Sequence, residues 1–263
     1  MLLVPGVNGH PGRWAMLLLT AAVLVGLARA GAIGVSARLS GAISGRRVVI
    51  DPGHGGPDPG AVGRSGLAEK DLVLRIAFHL KRMLGRAGVY VVMIRESDRD
   101  FGDGKAGSML ARKRRDLSYR ANLANRIRAD VYLSIHANSI LDSRWAGAQV
   151  FYNRARPFAR ELAGSLQAAF AASLGPGYRL AKSADYRVLN ETTMPAATIE
   201  VGFLSNPEEE ARLADPGYQE KVAEAIFQGL LHYFLRRADE RGRTMPTHAV
   251  PLARGNGVGT QGA

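Results

Sequence analysis

Cysteine is absent from the 263 residues of the sequence. The chain therefore has no disulfide framework, no cysteine-ligated zinc site and no thiol nucleophile. Long apolar runs are scarce as well. The run at residues 14–28 has 15 residues, whereas a membrane-spanning helix needs about 20. Because cysteine is absent, any catalysis must use histidine, carboxylates, serine, lysine, or a metal held by nitrogen and oxygen ligands.

Acidic residues are few relative to basic ones. The chain has 23 aspartates and glutamates against 35 lysines and arginines, a formal charge of +12, or +10 without residues 1–30. Apolar residues make up 46 % and charged residues 22 %, which is ordinary for a soluble globular chain and excludes a wholly disordered or polytopic membrane protein. A basic globule suits a polyanionic partner: nucleic acid, a membrane surface or an anionic polymer.

The first 30 residues have the pattern of an export signal. Arg13 precedes the uncharged run 14–28, and the small-residue triplet Ala28-Arg29-Ala30 follows it. Because Arg29 lies inside this cleavage-like site, the segment is either a cleaved signal peptide or a retained membrane anchor; a buried N-terminal helix is the alternative. Export places the rest of the chain outside the cytoplasmic membrane, which disfavours nucleic acid as the partner.

Apolar runs and helical periodicity alternate through the middle of the chain. Residues 31–45 are small and flexible and predict a linker, 46–237 one α/β domain, and 238–263 a disordered tail. Strands are predicted at 48–50, 89–94, 131–135, 148–152, 186–189 and 196–201, and helices at 68–86, 110–127, 156–173 and 222–233. This order predicts a single α/β domain with a largely parallel sheet covered by helices on both faces.

Candidate site residues follow three of the predicted strands. His54, His136 and Glu200 come at or just after apolar runs, and Glu69 falls in the first turn of the first helix. Ligands of such sheets bind beyond the carboxyl ends of the strands. Two histidines and one glutamate form a zinc set of the catalytic type, with a fourth position open to water. The alternative is that these are loop histidines bonded to backbone.

Glu200 and a second carboxylate, Asp51, each have two possible roles. Glu200 is embedded in the apolar run Ala-Ala-Thr-Ile-Glu-Val-Gly-Phe, where an unpartnered carboxylate is costly. It could move protons beside a metal-activated water, or form a structural salt bridge to an arginine. Asp51 could orient a histidine ligand through its other ring nitrogen, or be a simple turn residue. Gly53, Gly55 and Gly56 allow a positive φ and a close approach of backbone to a ligand.

A basic run, Arg112 to Arg115, lies on the predicted second helix. It is either a solvated helix face or a surface that attracts an anionic polymer outside the cell.

Four segments resemble a known enzyme family. The runs VVIDPGHGGPDPGAVG, GLAEKDLVL, LSIHAN and PAATIEVGFLSNPEE resemble the zinc-dependent N-acetylmuramoyl-L-alanine amidases of the amidase-3 type, over about residues 46–235. The resemblance implies a mixed sheet of about six strands and hydrolysis of the amide between N-acetylmuramic acid and L-alanine in peptidoglycan. It also implies that His54, Glu69 and His136 bind zinc and that Glu200 is the catalytic acid and base.

A narrower resemblance concerns residues 143–149 and the run Arg-Lys-Arg-Arg-Asp-Leu, which are similar to segments of the spore-cortex amidases of endospore formers. It implies action before muramic-δ-lactam is formed, in the cell wall or the intermembrane space of the forespore, with no accessory activator specified. Two alternatives stay open: a zinc peptidase that cuts the stem peptide, and a non-catalytic wall-binding module. The second is disfavoured because a pure binder has no need of Glu200.

Overall fold

The computed structural model describes residues 41–102, 108–175 and 179–244 of the chain. Its strands are β1 (Arg47–Pro52), β2 (Tyr90–Met93), β3 (Val131–Asn138), β4 (Gln149–Tyr152), β5 (Lys182–Ser183) and β6 (Ala196–Phe203). Its helices are α1 (Glu69–Arg86), α2 (Met109–Arg126), α3 (Ala159–Leu174), α4 (Arg187–Glu191), α5 (Pro207–Ala214) and α6 (Pro216–Thr244). None of the helices in these ranges is long and apolar enough to cross a bilayer.

The strands form one mixed, mostly parallel sheet in the order β2-β1-β3-β6-β4-β5. Strands β1, β2, β3 and β6 run parallel to one another, whereas β4 is antiparallel to β6 and β5 is parallel to β4. The larger apolar cluster joins one face of the sheet to α1, α3 and α6, and the smaller joins the other face to α2 and α4. The predicted fold class, an α/β sheet of about six strands with helices on both faces, is therefore confirmed.

Burial on both faces explains why the central strands were recognisable as continuous apolar runs. Val48, Val49 and Ile50 of β1 are fully buried, and they alternate between the two clusters. Helix α1 instead buries one stripe, in which Leu72, Ile76, Leu80 and Leu84 recur at helical spacing.

One predicted strand is wrong. Tyr186 is the N-cap of helix α4, residues 187–189 lie in its first turn, and the edge strand pairs through Lys182 and Ser183 instead. A four-residue apolar run has no measurable period, so tertiary contacts decide its structure. Here Val188 and Leu189 pack into the smaller cluster, and the Thr192 hydroxyl donates to the Val188 carbonyl at the end of the helix.

The domain extends past both of its predicted boundaries, residues 46 and 237. Ile43, assigned to the predicted linker, is 1 % exposed and belongs to the larger core cluster. Helix α6 continues to Thr244 through residues assigned to the predicted tail, which include alanine, arginine and glutamate, residues of favourable helix propensity. The predicted signal or anchor of residues 1–30, the linker residues 31–40 and the tail residues 245–263 lie outside the described residues.

Candidate active site

The four predicted site residues meet at the carboxyl edge of the central strands. His54 lies two residues beyond β1, Glu69 is the first residue of α1, and His136 lies near the end of β3. Glu200 is in β6, and its backbone pairs directly with that of His136. Because β1, β3 and β6 are adjacent and parallel, their carboxyl ends bring residues from distant parts of the chain together.

Three side chains present ligand atoms to one point. His54 Nε2 lies 3.1 Å from Glu69 Oε1, His136 Nδ1 lies 2.9 Å from the same oxygen, and the two ring nitrogens are 3.2 Å apart. Bonds of 2.0–2.1 Å in a tetrahedral zinc site would hold ligand atoms about 3.3 Å apart. The separations in this set are close to that value, and its nitrogen and oxygen donors suit zinc.

Two of the proposed ligands, His54 and Glu69, are held by further contacts. His54 Nδ1 lies 3.0 Å from Asp58 Oδ2, a carboxylate that the sequence prediction missed. Glu69 Oε2 accepts the Ala61 N–H at 2.8 Å, and Glu69 Oε1 accepts the Ala137 N–H at 3.0 Å. Such contacts orient the His54 ring and the Glu69 carboxylate before any metal arrives.

Asp51 does not contact either histidine, contrary to one of its two predicted roles. His136 Nε2 lies 3.2 Å from the Ser134 hydroxyl, which in turn donates to Asp51 Oδ2 at 3.2 Å. Asp51 therefore reaches His136 through Ser134. Its direct partners are the Tyr132 hydroxyl and the Arg120 guanidinium, at 2.6 Å from Arg120 Nη1.

The electrostatics of the set favour a bound positive charge. Burial disfavours a charged His54 ring, but the carboxylates of Asp58 and Glu69 outweigh burial and raise the pKa of His54 to about 9. Burial likewise opposes ionisation of Glu69, but the two histidines hold its pKa well below its usual range. A site that holds a proton this strongly also attracts a metal cation, for which protons compete.

No lysine or arginine in the described part of the chain forms an ion pair with Glu200. Within that part, Glu200 is therefore not in a structural salt bridge, the second of its two predicted roles. Burial raises the pKa of Glu200; the charge of His136 lowers it, and that of Glu69 raises it again. The net shift is upward, the direction that brings a carboxylate closer to neutral pH, where it can both accept and return a proton.

The lack of a side chain at two glycines leaves space that His136 and Glu69 occupy. A Cβ at Gly53 would lie 2.2 Å from the His136 ring, and a Cβ at Gly60 would lie 2.5 Å from Glu69 Oε2. Gly60 also has a positive φ of 68°. The close approach predicted for the glycines around His54 is therefore present at Gly53, whereas a Cβ at Gly55 or Gly56 would meet residues 99 and 100 instead.

Two buried arginines, both missed from the sequence, clamp the His54 loop. Arg120 is 1 % exposed and donates to the carbonyls of Pro52 and His54 at 3.0 and 2.7 Å. Arg95 is 2 % exposed and donates to the carbonyls of Pro52 and Gly53 at 2.9 and 2.8 Å. These bonds hold His54 in a left-handed conformation, with a φ of 60°, that is costly for a non-glycine residue.

We expect Arg120→Ala to destabilise the fold by about 3–5 kcal/mol, because it leaves Asp51 and Asp116 buried without their cation. Urea unfolding of the metal-stripped protein measures this effect free of any metal contribution. Arg114→Ala, an exposed position on the same helix, is the matched control and should shift stability by no more than about 0.5 kcal/mol. Equal stability of the two variants would show that the clamp does not hold the fold.

Helix α5 holds two loops with consecutive glutamates. At its start, the Asn206 side chain accepts the N–H groups of Glu208 and Glu209, and Pro207 is at the first helical position. Glu210 accepts the N–H groups of residues 64 and 65, in the loop before Glu69. Glu209 accepts the Gly147 N–H, in the loop between β3 and β4. One helical turn thus fixes both loops.

Most of the basic run on α2 is engaged within the molecule. Arg112 forms two bonds of 2.7 and 2.8 Å with Asp100, Lys113 Nζ lies 3.1 Å from Asp58 Oδ2, and Arg115 donates to the Gly102 carbonyl. Within the described part of the chain, only Arg114 of the four has no such partner. The run is therefore neither a simple solvated face nor a free cationic patch.

Two histidines and a glutamate converging at the carboxyl edge of an α/β sheet, beside a second carboxylate, define the arrangement of a metal-dependent hydrolase. Comparison with known proteins narrows this class. The chain belongs to the Amidase_3 family of N-acetylmuramoyl-L-alanine amidases, whose family model matches residues 48–232. The family predicted from the sequence motifs is thereby confirmed.

Relatives of known name agree with this family. The chain is 41 % identical to the germination-specific N-acetylmuramoyl-L-alanine amidase of Bacillus subtilis over 198 residues, which cover 75 % of this chain and 83 % of that protein. It is similar to the structure of the CwlD amidase from Clostridioides difficile in complex with the GerS lipoprotein, with a TM-score of 0.69, 31 % identity, and 72 % and 98 % of the two chains covered. The catalytic domain of CwlV from Bacillus (Paenibacillus) polymyxa gives a TM-score of 0.63 at 34 % identity, covering 72 % and 97 %.

Proposed function

We propose that the protein is a zinc-dependent hydrolase that cleaves the amide between N-acetylmuramic acid and L-alanine in peptidoglycan. The observation that carries the proposal is the convergence of His54, Glu69 and His136 beside Glu200, in a chain whose family match spans nearly the whole described domain. Zinc held by these three residues would polarise the amide carbonyl of the substrate and lower the pKa of a water molecule at the site to about 7.

Glu200 is the residue to which we assign proton transfer. Its carboxylate takes a proton from the attacking water while the new carbon–oxygen bond forms at the lactyl carbonyl. It then gives that proton to the L-alanine nitrogen as the carbon–nitrogen bond breaks. The products are the lactyl carboxylic acid and a free L-alanine amine, so atoms and protons balance. The upward shift of the Glu200 pKa suits both transfers.

We place this activity outside the cytoplasmic membrane, in the cell wall or the forespore intermembrane space. The export-type sequence of residues 1–30, the formal charge of +12 and the similarity to a germination-specific amidase support a role in spore-cortex maturation. Peptidoglycan, an anionic glycan-peptide polymer, is the partner we assign. The CwlD structure includes a lipoprotein; for this chain we assign no accessory protein.

Digestion of purified peptidoglycan followed by mass analysis tests the proposal. We expect intact glycan strands and released peptides with L-alanine at the new N-terminus, and no release after treatment with a strong chelator. Cuts within the stem peptide would identify a zinc peptidase instead. Binding of sacculi without any released peptide would identify a non-catalytic wall-binding module.

The contact between Asp58 and His54 gives a further expectation. Asp58→Ala removes the carboxylate that faces His54 Nδ1, so we expect zinc affinity to fall about 10–100-fold, measured by competition with a chromophoric chelator. Lys113→Ala is the matched control, because it removes the other ion-pair partner of Asp58 and leaves the His54 contact in place. Equal zinc affinity of the Asp58 variant and wild type would contradict the orienting role.

A further inference from the structure

The end of the domain opposite the candidate active site is rich in arginine. This end comprises the residues that precede β1, β2, β3 and β6 and those that follow β4 and β5, because β4 runs antiparallel to β6. Its cations, which we call the arginine face, are Arg46, Arg47, Arg86, Arg126, Arg128, Arg154, Arg156, Arg160, Arg236 and Arg237. Its acids are fewer: Asp130, Glu161, Asp185, Glu191, Asp239 and Glu240. The charge at this end is therefore positive.

Part of this charge is free to bind a ligand. Four arginines of the face are exposed, and their side chains have no hydrogen-bond or ion-pair partner in the described part of the chain: Arg86, Arg128, Arg160 and Arg236. At the active-site end, Lys70, Arg112 and Lys113 are instead each paired with an aspartate. An exposed set of unpaired cations on one end of a domain attracts a polyanionic surface.

The helix dipole does not account for all of the charge. Arg86 and Arg126 end α1 and α2, where a cation is favoured by the dipole. Arg160 is the second residue of α3, where the dipole disfavours a cation. Its side chain is exposed nonetheless, so its charge is better matched to an anion outside the domain than to its own helix.

Exposed aromatic side chains lie among the arginines. Tyr90, at the start of β2, is 68 % exposed, and Phe158, in the loop after β4, is 43 % exposed. The Arg237 guanidinium lies 3.5 Å from the Phe158 ring centroid, which joins the end of α6 to the arginine face. Aromatic rings beside cations are typical of protein surfaces that lie at the headgroup level of an anionic bilayer.

The N-terminal part of the chain enters the domain at the same end. The Gly45 N–H donates to the Gly88 carbonyl at 2.8 Å, two residues from Arg86, and Ile43 belongs to the core. Residues 29–40 connect this entry point to the uncharged run 14–28, the predicted signal or anchor. That connection would span about 40 Å at most if fully extended. A retained run would therefore keep the arginine face, rather than the active site, next to the bilayer.

We propose that the arginine face docks on an anionic phospholipid surface and thereby turns the candidate active site away from the membrane. Val131 and Asn138, at the two ends of β3, are about 23 Å apart along the strand, and a docked domain holds the site about that far from the headgroups. An anionic wall polymer also suits arginines, but on this face it would lie at the end remote from the residues proposed to cut it. The inference goes beyond the proposed hydrolysis and does not depend on it.

The orientation is tested with one fluorescent probe at a time, because a chain without cysteine accepts a single label at an introduced one. Ala155→Cys places the probe on the arginine face, and Ala146→Cys places it at the active-site end. Both positions are exposed, and they lie on opposite sides of β4. The full-length chain is mixed with vesicles of phosphatidylglycerol and phosphatidylcholine that carry a headgroup-bound quencher, and with vesicles of phosphatidylcholine alone.

Three triple variants separate the face from charge in general. Two of them remove the same charge from exposed positions: the test variant is Arg86→Ser/Arg160→Ser/Arg236→Ser, and the matched control, away from the face, is Arg64→Ser/Arg75→Ser/Arg114→Ser. The third, Arg86→Lys/Arg160→Lys/Arg236→Lys, keeps the charge of the face. Thermal unfolding temperatures show whether each variant is folded, and the two probes in the wild type report the orientation without any variant.

We expect quenching of the Ala155 probe on anionic vesicles only, and of the Ala146 probe on neither kind. Each cation near an anionic bilayer favours binding about fivefold, so the ratio of docked to undocked domain should fall about 100-fold in the test variant. Its Ala155 quenching is then lost, whereas the control and the lysine variant keep theirs. Hydrolysis of a soluble muramyl peptide should be unchanged in the test variant, so a failure of the proposed reaction leaves this test intact.

Equal quenching of the two probes in the wild type would overturn the proposal, because the domain would then have no fixed orientation. Equal loss of quenching in the test and control variants would overturn it too, since general charge would suffice. If the test variant keeps its Ala155 quenching but no longer cosediments with purified sacculi, the arginine face binds wall polymer instead of lipid.

Discussion

Glu200→Gln should retain its zinc and its fold while losing at least 10²–10⁴-fold in turnover of peptidoglycan, the typical contribution of a positioned acid or base. The expectation follows from its place in the site. Glu200 is opposite His136 in the sheet but is not one of the three side chains whose ligand atoms converge. An amide keeps the shape of the carboxylate but cannot accept a proton from water. The rate of release of L-alanine amines and the zinc content are measured on the same preparation.

The matched control is Glu224→Gln, the same substitution at an exposed position of α6. It should leave both rate and zinc content at wild-type values. Turnover near the wild-type rate in Glu200→Gln would refute the mechanism. Loss of zinc in Glu200→Gln would instead make Glu200 a metal ligand.

Glu69→Ala should lose both zinc and activity. Glu69 Oε1 lies 2.9 Å from His136 Nδ1 and 3.1 Å from His54 Nε2, and its removal leaves two nitrogen ligands. Loss of a contact that only orients a ligand lowers metal affinity about 10–100-fold. We expect Glu69→Ala, which removes a proposed ligand, to lower zinc affinity by more than this, and turnover to fall with zinc occupancy. Metal content after dialysis and turnover with added zinc are the measurements.

Asp71→Ala provides the control for Glu69→Ala, because it removes an exposed acid from the same first turn of α1. That variant should keep its zinc and its rate. In wild type, a strong chelator should abolish activity and zinc should restore it. Full activity in a preparation shown to be metal-free by elemental analysis would refute the metal assignment.

The sequence could predict the sheet and the meeting of the four site residues because both depend on strong local signals. Strands buried on both faces appear as apolar runs, and in parallel strands the residues after each run meet at one edge. His54, His136 and Glu200 follow this rule, and Glu69 follows from the start of a strongly periodic helix. Their chemical roles stay predictions until the variants are measured.

The residues that hold the site were harder to predict, because their roles depend on long-range contacts. Arg120 interrupts the apolar stripe of α2 between Leu117 and Ala121, and a charge on a buried face is the one local signal that could have identified it. Arg95 gives no such signal. Asp58 could have been considered, since it lies four residues after His54, but the glycine- and proline-rich loop leaves its direction undetermined.

The two glutamates at the start of α5 set the order in which the site can form during synthesis. The three proposed metal ligands are all present once residue 136 has emerged. The loop before Glu69, however, is held by Glu210, and the loop between β3 and β4 is held by Glu209. A chain made from its N-terminus therefore acquires its complete site only after residues 209 and 210 have emerged and α5 has folded, well after the proposed ligands themselves are present.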